Sequence, residues 1–226
     1  LNQTMTLGAI NVTGPLANEL LDRAGLTDRP PYMGYAPGVV AGVECNVFRL
    51  SFTGELSYEL HHPAQDSVRL WRALLELGAD LGLKPHGIEA LLKLRLEKGH
   101  IIVGQDTAFD STPRRIAHEW AVKLSKAEFV GRPAIIRTNK IPLDKQLVGF
   151  EMDGPAPIEG AVIWYKDQFA GHVTSSTWSP VLGQAVMLGW LYYFDGELPA
   201  TVTIDSRPAR RIDTPFYDKE ARRARA

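Results

Sequence analysis

The chain has 226 residues, 45% of them hydrophobic and 23% charged, with 25 basic against 26 acidic side chains and so a net charge of −1. That length suits one large or two modest domains, and the composition lies in the globular range with enough apolar residues for a core. The balanced charge argues against a nucleic-acid binder, whose domain is ordinarily basic, and excludes a long acidic or basic low-complexity protein.

The first predicted element is a strand over Leu7, Ile10 and Val12 that runs into a turn at Gly14-Pro15. Leu16, Leu20 and Leu21 then recur at helical spacing, with Gly25 as the stop. Residues 27–38 contain Pro30, Pro31 and Pro37 and read as irregular, with Tyr32 and Tyr35 as surface aromatics. Over 42–62 the composition turns to strand: Val43, Val47, Phe48, Leu50 and Phe52, then Leu56, Tyr58 and Leu60. The second run alternates strictly, as a half-buried strand does, and Thr53-Gly54-Glu55 separates the two as a turn. Val68, Trp71, Leu74, Leu75 and Leu77 predict an amphipathic helix over 63–83. A second helix is predicted over 87–98, capped by Gly99 and followed by an extended segment.

Beyond Lys140 the pattern changes. Short apolar runs at 147–150, 161–165, 171–174, 185–191 and 200–204 alternate with turn clusters such as Asp153-Gly154-Pro155 and Asp195-Gly196. Evenly spaced short strands of this kind predict a small β-barrel or sandwich. The domain boundary is therefore placed near 140, giving domains 1–139 and 140–226. Lys219, Arg222, Arg223 and Arg225 read as a frayed basic tail.

Cys45 is the single cysteine, so the chain has no internal disulfide or cysteine-rich zinc module, which points to a reducing, cytoplasmic compartment. No apolar run approaches the ~18 residues of a bilayer span, and the start carries no export signal. Residue 1 is Leu rather than Met, so the chain is expected to be a piece or a processed product of something longer. Gly99 and Gly104 are spaced like a phosphate-binding loop, but Gln105-Asp106 stands where Lys-Ser/Thr would be needed. The six histidines are scattered, apart from His61-His62, which a strand would point to opposite faces, so no metal site is expected. Spacing alone offers no catalytic constellation. The one suggestive grouping is Glu55 at its turn, with Phe48, Phe52 and Tyr58 nearby. A carboxylate among aromatic rings suits a flat heterocycle with two adjacent N–H donors, since both donors can bond one carboxylate while the rings sandwich the ligand.

Several runs together resemble the glycine-cleavage aminomethyltransferase family of folate-binding proteins. They are Arg49-Leu50-Ser51-Phe52-Thr53-Gly54-Glu55-Leu56-Ser57-Tyr58-Glu59, Leu94-Arg95-Leu96-Glu97-Lys98-Gly99 and Gly104-Gln105-Asp106-Thr107. Phe129-Val130-Gly131-Arg132 and Gly171-His172-Val173-Thr174-Ser175-Ser176-Thr177-Trp178-Ser179-Pro180 follow in order. Within that family, the Lys98-Gly99 to Thr107 stretch and Thr214-Pro215-Phe216-Tyr217-Asp218 are most similar to the carboxy-terminal, folate-binding half of the heterotetrameric sarcosine oxidase alpha subunit. Leu91-Leu92 replace the Arg-Asp pair usual in dedicated aminomethyltransferases.

The resemblance implies an α+β fold: part of a folate-binding aminomethyltransferase-like domain, then a small C-terminal β-barrel. It implies tetrahydrofolate as ligand and one-carbon capture as 5,10-methylenetetrahydrofolate, with Glu55 gripping the pterin ring and Tyr58, Arg95, Trp178 and Tyr217 completing the folate-binding set. Flavin or NAD would lie on other segments or subunits, so other oxidase subunits or a dinucleotide-binding segment are expected partners, with neither nucleic acid nor membrane. No carboxylate matches the family's catalytic Asp, and independent activity is expected to need a further segment or a partner. The alternatives are a non-catalytic folate-binding or scaffold fragment and an aminomethyltransferase of the glycine cleavage system.

Overall fold

A computed structural model describes residues 2–226; Leu1, on which the expectation of a longer chain rests, lies outside the described residues. Two compact units are present, one running up to Leu94 and including Asp218–Ala226, the other covering Arg95–Tyr217. The compact division thus falls at Leu94/Arg95, whereas the composition shift placed a boundary near 140.

The first unit holds an antiparallel sheet ordered β1-β4-β3-β2, from β1 (Leu7–Thr13), β2 (Tyr35–Val40), β3 (Val43–Phe48) and β4 (Ser57–Pro63). Helices α1 (Ala17–Arg23) and α2 (Ser67–Leu77) bring Leu20, Leu21, Leu70 and Leu74 into a core with Val12, Val40, Val47, Tyr58 and Leu60. β2 corrects the expectation of irregular chain over 27–38. Pro37 and Gly38 hide the strand pattern, yet both are tolerated because β2 is an edge strand, paired among the described residues with β3 alone. Ala41 and Gly42, both at positive φ, close the β2–β3 hairpin. Helix α2 is shorter than predicted. A 3-10 turn occupies Ala64–Asp66, and the helix stops at Gly78, so Leu81 and Leu83 pack on the core from outside it.

Cys45 is buried on β3, and desolvation pushes its thiol up to about 11. The sign follows directly. The folded state favours the neutral thiol, so its contribution is complete below the unfolded value of roughly 8.5 and fades as pH rises towards the folded one. Labelling of the native chain with iodoacetamide is expected to be negligible at pH 8 and complete in urea; rapid native labelling at pH 8 would contradict this placement.

The second unit begins at the end of α3 (Ile88–Glu97), which Gly99 terminates at φ 68. The predicted extended segment after Gly99 is instead a series of turns over 103–106. Their purpose is local: they return Asp106 to Arg95. A short helix, α4 (Arg132–Thr138), precedes a closed barrel of β5 (Lys145–Met152), β6 (Val162–Tyr165), β7 (Gln168–Ser179), β8 (Gln184–Tyr192), β9 (Thr201–Ile204) and β10 (Arg207–Ile212). The barrel order is β10-β5-β8-β7-β6-β9, and antiparallel pairing of β9 with β10 closes it. Five strands were predicted; β10 was missed because Arg207, Arg210 and Arg211 mask an alternation whose single fully buried member is Ala209. Phe150, Ile163, Met187, Leu191 and Ile204 fill the barrel, and Leu96, Leu147, Leu188, Trp190 and Phe216 form a second cluster in the same unit. The architecture is α+β with a C-terminal β-barrel. Among the described residues no helix is long and apolar enough to cross a membrane.

The tail is not frayed. Arg222–Arg225 form one helical turn, α5, and Ala224 is buried in the first unit.

Candidate functional site

Strand alternation divides the first unit's sheet into two faces. Tyr58, Leu60 and His62 point into the core, so Glu59 and His61 stand on the opposite, open face. Register puts Phe48 of β3 and Asn11 of β1 on either side of Glu59, with Asn46 beside His61. The Phe48 ring lies 4.9 Å from both Tyr35 and His61, tilted by 41° and 53°, giving a row of three rings in contact across three strands. Glu59 Oε2 is 3.1 Å from His61 Nε2, and the Tyr35 hydroxyl donates to Asn46 Oδ1 at 2.9 Å. This face therefore joins a carboxylate to an aromatic platform. A planar ligand could lay its face on Phe48 and present paired N–H donors to Glu59.

Glu55 has different surroundings. It sits after Gly54, whose φ of 83 turns the chain between β3 and β4. Thr53 Oγ1 accepts the Glu55 N–H at 3.3 Å, and Ser51 Oγ donates to the Glu55 carbonyl at 2.5 Å. Its carboxylate meets Arg223 Nη1, 3.0 Å from Oε1 and 3.3 Å from Oε2. With the guanidinium about half exposed, such a pair contributes only about 0–1 kcal/mol. Glu55 also lines a cavity of about 400 Å³ whose other walls are mainly aliphatic, including Val12, Leu20, Leu83 and Leu94. The aromatic cluster expected around Glu55 is not formed there: Phe48 belongs to the open face, and Tyr58 is buried, its hydroxyl donating to Asn18 Oδ1 at 2.7 Å. Strict alternation in β4 was visible in the sequence and could have separated Glu59 from Tyr58. The pairing of Phe48 with Glu59 could not, because it depends on the register across the Thr53-Gly54-Glu55 turn.

The remaining expected residues lie in the second unit. Arg95 is buried with Asp106, Nη1 to Oδ2 being 2.8 Å. Its Nη1 also donates to the His100 carbonyl at 3.0 Å, and Nη2 donates to Ser175 Oγ at 2.8 Å. Asp106 accepts further bonds from Thr174 Oγ1 at 2.6 Å, Ser175 Oγ at 2.5 Å and the Ile102 N–H at 2.8 Å. Glu97 accepts from Ser179 Oγ at 2.5 Å through its side chain and from the Tyr217 N–H at 3.0 Å through its carbonyl. Arg95 is thus the centre of a buried brace between the end of α3 and β7. Trp178, on β7, is 43% exposed, and Tyr217 is half-buried. No cluster of three or more His, Cys, Asp or Glu side chains suited to a metal ion exists among the described residues.

Comparison with known proteins gives concordant matches. The family model described as the GCVT N-terminal domain matches residues 1–126, and the glycine cleavage T-protein C-terminal barrel domain matches residues 145–218. The chain is similar to the aminomethyltransferase of Halothermothrix orenii, 32% identical over 206 residues that make up 90% of this chain and 58% of that protein. It is likewise similar to the aminomethyltransferase of Desulforamulus reducens, 33% identical over 214 residues, 92% of this chain and 59% of that one. The crystal structure of glycine cleavage system aminomethyltransferase T from Bartonella henselae shares the fold, with a TM-score of 0.81 at 24% identity, over 94% of this chain and 60% of that one. The chain therefore spans about three-fifths of the length of the relatives it matches.

Proposed function

This chain belongs to the glycine-cleavage T-protein family, and on that premise we propose that it is the folate-binding portion of an aminomethyltransferase, holding tetrahydrofolate as acceptor of a one-carbon unit. The observation that carries this reading is the open face of the first unit's sheet, where Glu59 stands in register with Phe48. A pterin has a flat ring and an edge of adjacent N–H donors, and this face supplies a partner for each. Its work in the transfer is orientation, since holding two reactants in place removes much of the entropic barrier.

The residues expected from the sequence enter the proposal with distinct roles. Glu55 is a second carboxylate near the ring-binding strands, held by Arg223. Tyr58 and Arg95, both buried in bonds of the protein itself, act as positioning residues within their own units. Trp178 and Tyr217 are the direct ligand contacts proposed for the second unit. The proposal keeps the division at 140 into a folate-binding portion and a barrel domain, and a cytoplasmic setting.

Calorimetry with tetrahydrofolate tests the reading. Glu59→Gln is expected to weaken binding about tenfold or more, because a charge-assisted hydrogen bond contributes about 1.5–3 kcal/mol. Glu55→Gln is expected to change affinity less than about fivefold. The reverse order would make Glu55 the ring anchor, and absence of binding to the unaltered chain would remove folate altogether.

A second reading places the chain in a sarcosine-oxidase-like assembly, with flavin or NAD on other segments or subunits. Leu91-Leu92 and the Thr214-Pro215-Phe216-Tyr217-Asp218 run favour it. The named relatives support the aminomethyltransferase reading instead.

A further inference from the structure

We propose that two adjoining cavities of the first unit form one site for an amphipathic carboxylate, a medium-chain fatty acid, whose head meets Lys84 and His86 and whose alkyl chain lies along the apolar walls. The inference goes beyond the proposed function and does not rest on folate binding.

The cavities, of about 400 and about 320 Å³, share Val12, Thr13, Leu20, Leu83, Lys84 and His86 in their walls, and every lining residue belongs to the first unit. Val12, Leu20 and Leu74 come from the core itself, whereas Leu81 and Leu83 pack on it from the segment that follows α2. That segment leaves the helix at Gly78 and brings Lys84-Pro85-His86 to the rim, where the side chains of Lys84 and His86 are exposed. An apolar hollow of this size with a few polar groups at one place is the ordinary form of a small-molecule site.

The polar groups along the walls narrow the ligand. Thr13 Oγ1 shares a hydrogen bond with Thr53 Oγ1 at 2.8 Å, and Asn11 Nδ2 donates to Ser57 Oγ at 2.8 Å and to the Tyr58 carbonyl at 3.3 Å. Glu55, in the wall of the larger cavity, is paired with Arg223. Lys84 and His86 form neither a hydrogen bond nor an ion pair with any other described residue. A ligand rich in polar groups would therefore leave them unpaired against aliphatic side chains, which is costly. A single carboxylate instead meets the Lys84 ammonium and a ring N–H of His86 at the rim. Charge complementarity thus selects an anionic head over an amine.

The walls select the rest of the molecule. The smaller cavity contains no acidic residue and is closed by Ile10, Leu74 and Leu75, with Trp71 its one aromatic wall besides His86. Branched aliphatic walls suit an alkyl chain, whose burial is favourable in proportion to its area, better than a flat ring that needs a stacking face. The chain of the ligand is accordingly directed from Lys84 past Leu83 into this smaller cavity, away from Glu55.

Calorimetry of the full chain with decanoate, below its micelle-forming concentration, is expected to show one saturable site. Octanoate is expected to bind about fivefold or more weakly, since each buried methylene changes affinity about fourfold. Lys84→Glu, at an exposed position, is expected to keep the circular dichroism of the chain, to weaken decanoate about tenfold or more, and to change decanol less than about twofold. Nuclear Overhauser contacts from the decanoate methylenes are expected at the methyl groups of Leu74 and Leu75. The proposal is overturned if decanoate saturates no single site, if Lys84→Glu binds it unchanged or loses decanol equally, or if the contacts fall elsewhere. Displacement of decanoate by equimolar tetrahydrofolate would overturn it too, by making these cavities part of the folate site.

Discussion

Asp106→Ala is expected to cost the second unit about 3–5 kcal/mol, the loss typical when one partner of a buried ion pair is removed and the other stays. The reason lies in how many groups meet at this carboxylate. Arg95, Thr174, Ser175 and the Ile102 amide all donate to it; when it goes, the Arg95 charge loses its counter-ion, and Ser175 and the Ile102 amide lose their acceptor. Removing both charges, as in Arg95→Met with Asp106→Leu, recovers only part of the loss. The Ser175 hydroxyl and the Ile102 N–H still lack their acceptor, each at about 1–3 kcal/mol, whereas Thr174 retains the Leu188 carbonyl. Because the chain holds two units, global denaturation need not be two-state. Hydrogen exchange of barrel amides under increasing urea reads the second unit by itself. A loss below about 1 kcal/mol for Asp106→Ala would show that the brace contributes little.

Gly171→Ala is expected to be at least as damaging, above about 4 kcal/mol, through the backbone rather than through charge. Gly171 has φ 147, and a methyl group there would come 1.9 Å from the Trp190 carbonyl oxygen. That oxygen belongs to β8, which pairs with β7 along the barrel wall, so relief requires parting two central strands. Gly183→Ala serves as the control. Its φ of 69 imposes the left-handed penalty of roughly 1–2 kcal/mol, but nothing lies within 4 Å of the added methyl. Equal losses for the two variants, measured by the same exchange experiment, would exclude the steric account.

These two positions show what kinds of information the sequence holds. Gly171, Thr174 and Ser175 all fall in a run that carries the family resemblance, yet neither periodicity nor propensity explains why they are there. The structure does: one residue lets two strands approach, and two others bond a carboxylate some 70 residues earlier in the chain. Local regularities were legible. The alternation of β4, the helical spacing of α1 and α2, and the turn-separated runs beyond Lys140 each follow from side-chain period, and each formed. Elements whose pattern is overwritten were not. Pro37 concealed an edge strand, and three arginines concealed the strand that closes the barrel. The candidate site was half visible in the same way. An acid beside aromatic residues could be read from 48–59, but which acid faces which ring is decided by cross-strand register. Arg95 and Glu97 could be read as a buried helix pair, but the partner of Arg95, Asp106, could not, since it is held by turns rather than by a helix or strand.

The tail that docks on the first unit has a consequence for how the molecule is made. Arg223 and Glu55 are separated by 168 residues, and most of that distance is taken up by the second unit. On the ribosome, the segment up to Leu94 emerges before the barrel segment, so the barrel can mature before the first unit acquires Asp218–Ala226. The barrel then shortens the effective loop between Glu55 and Arg223, lowering the entropic cost of bringing them together. Synthesis of the first unit thus brackets that of the second.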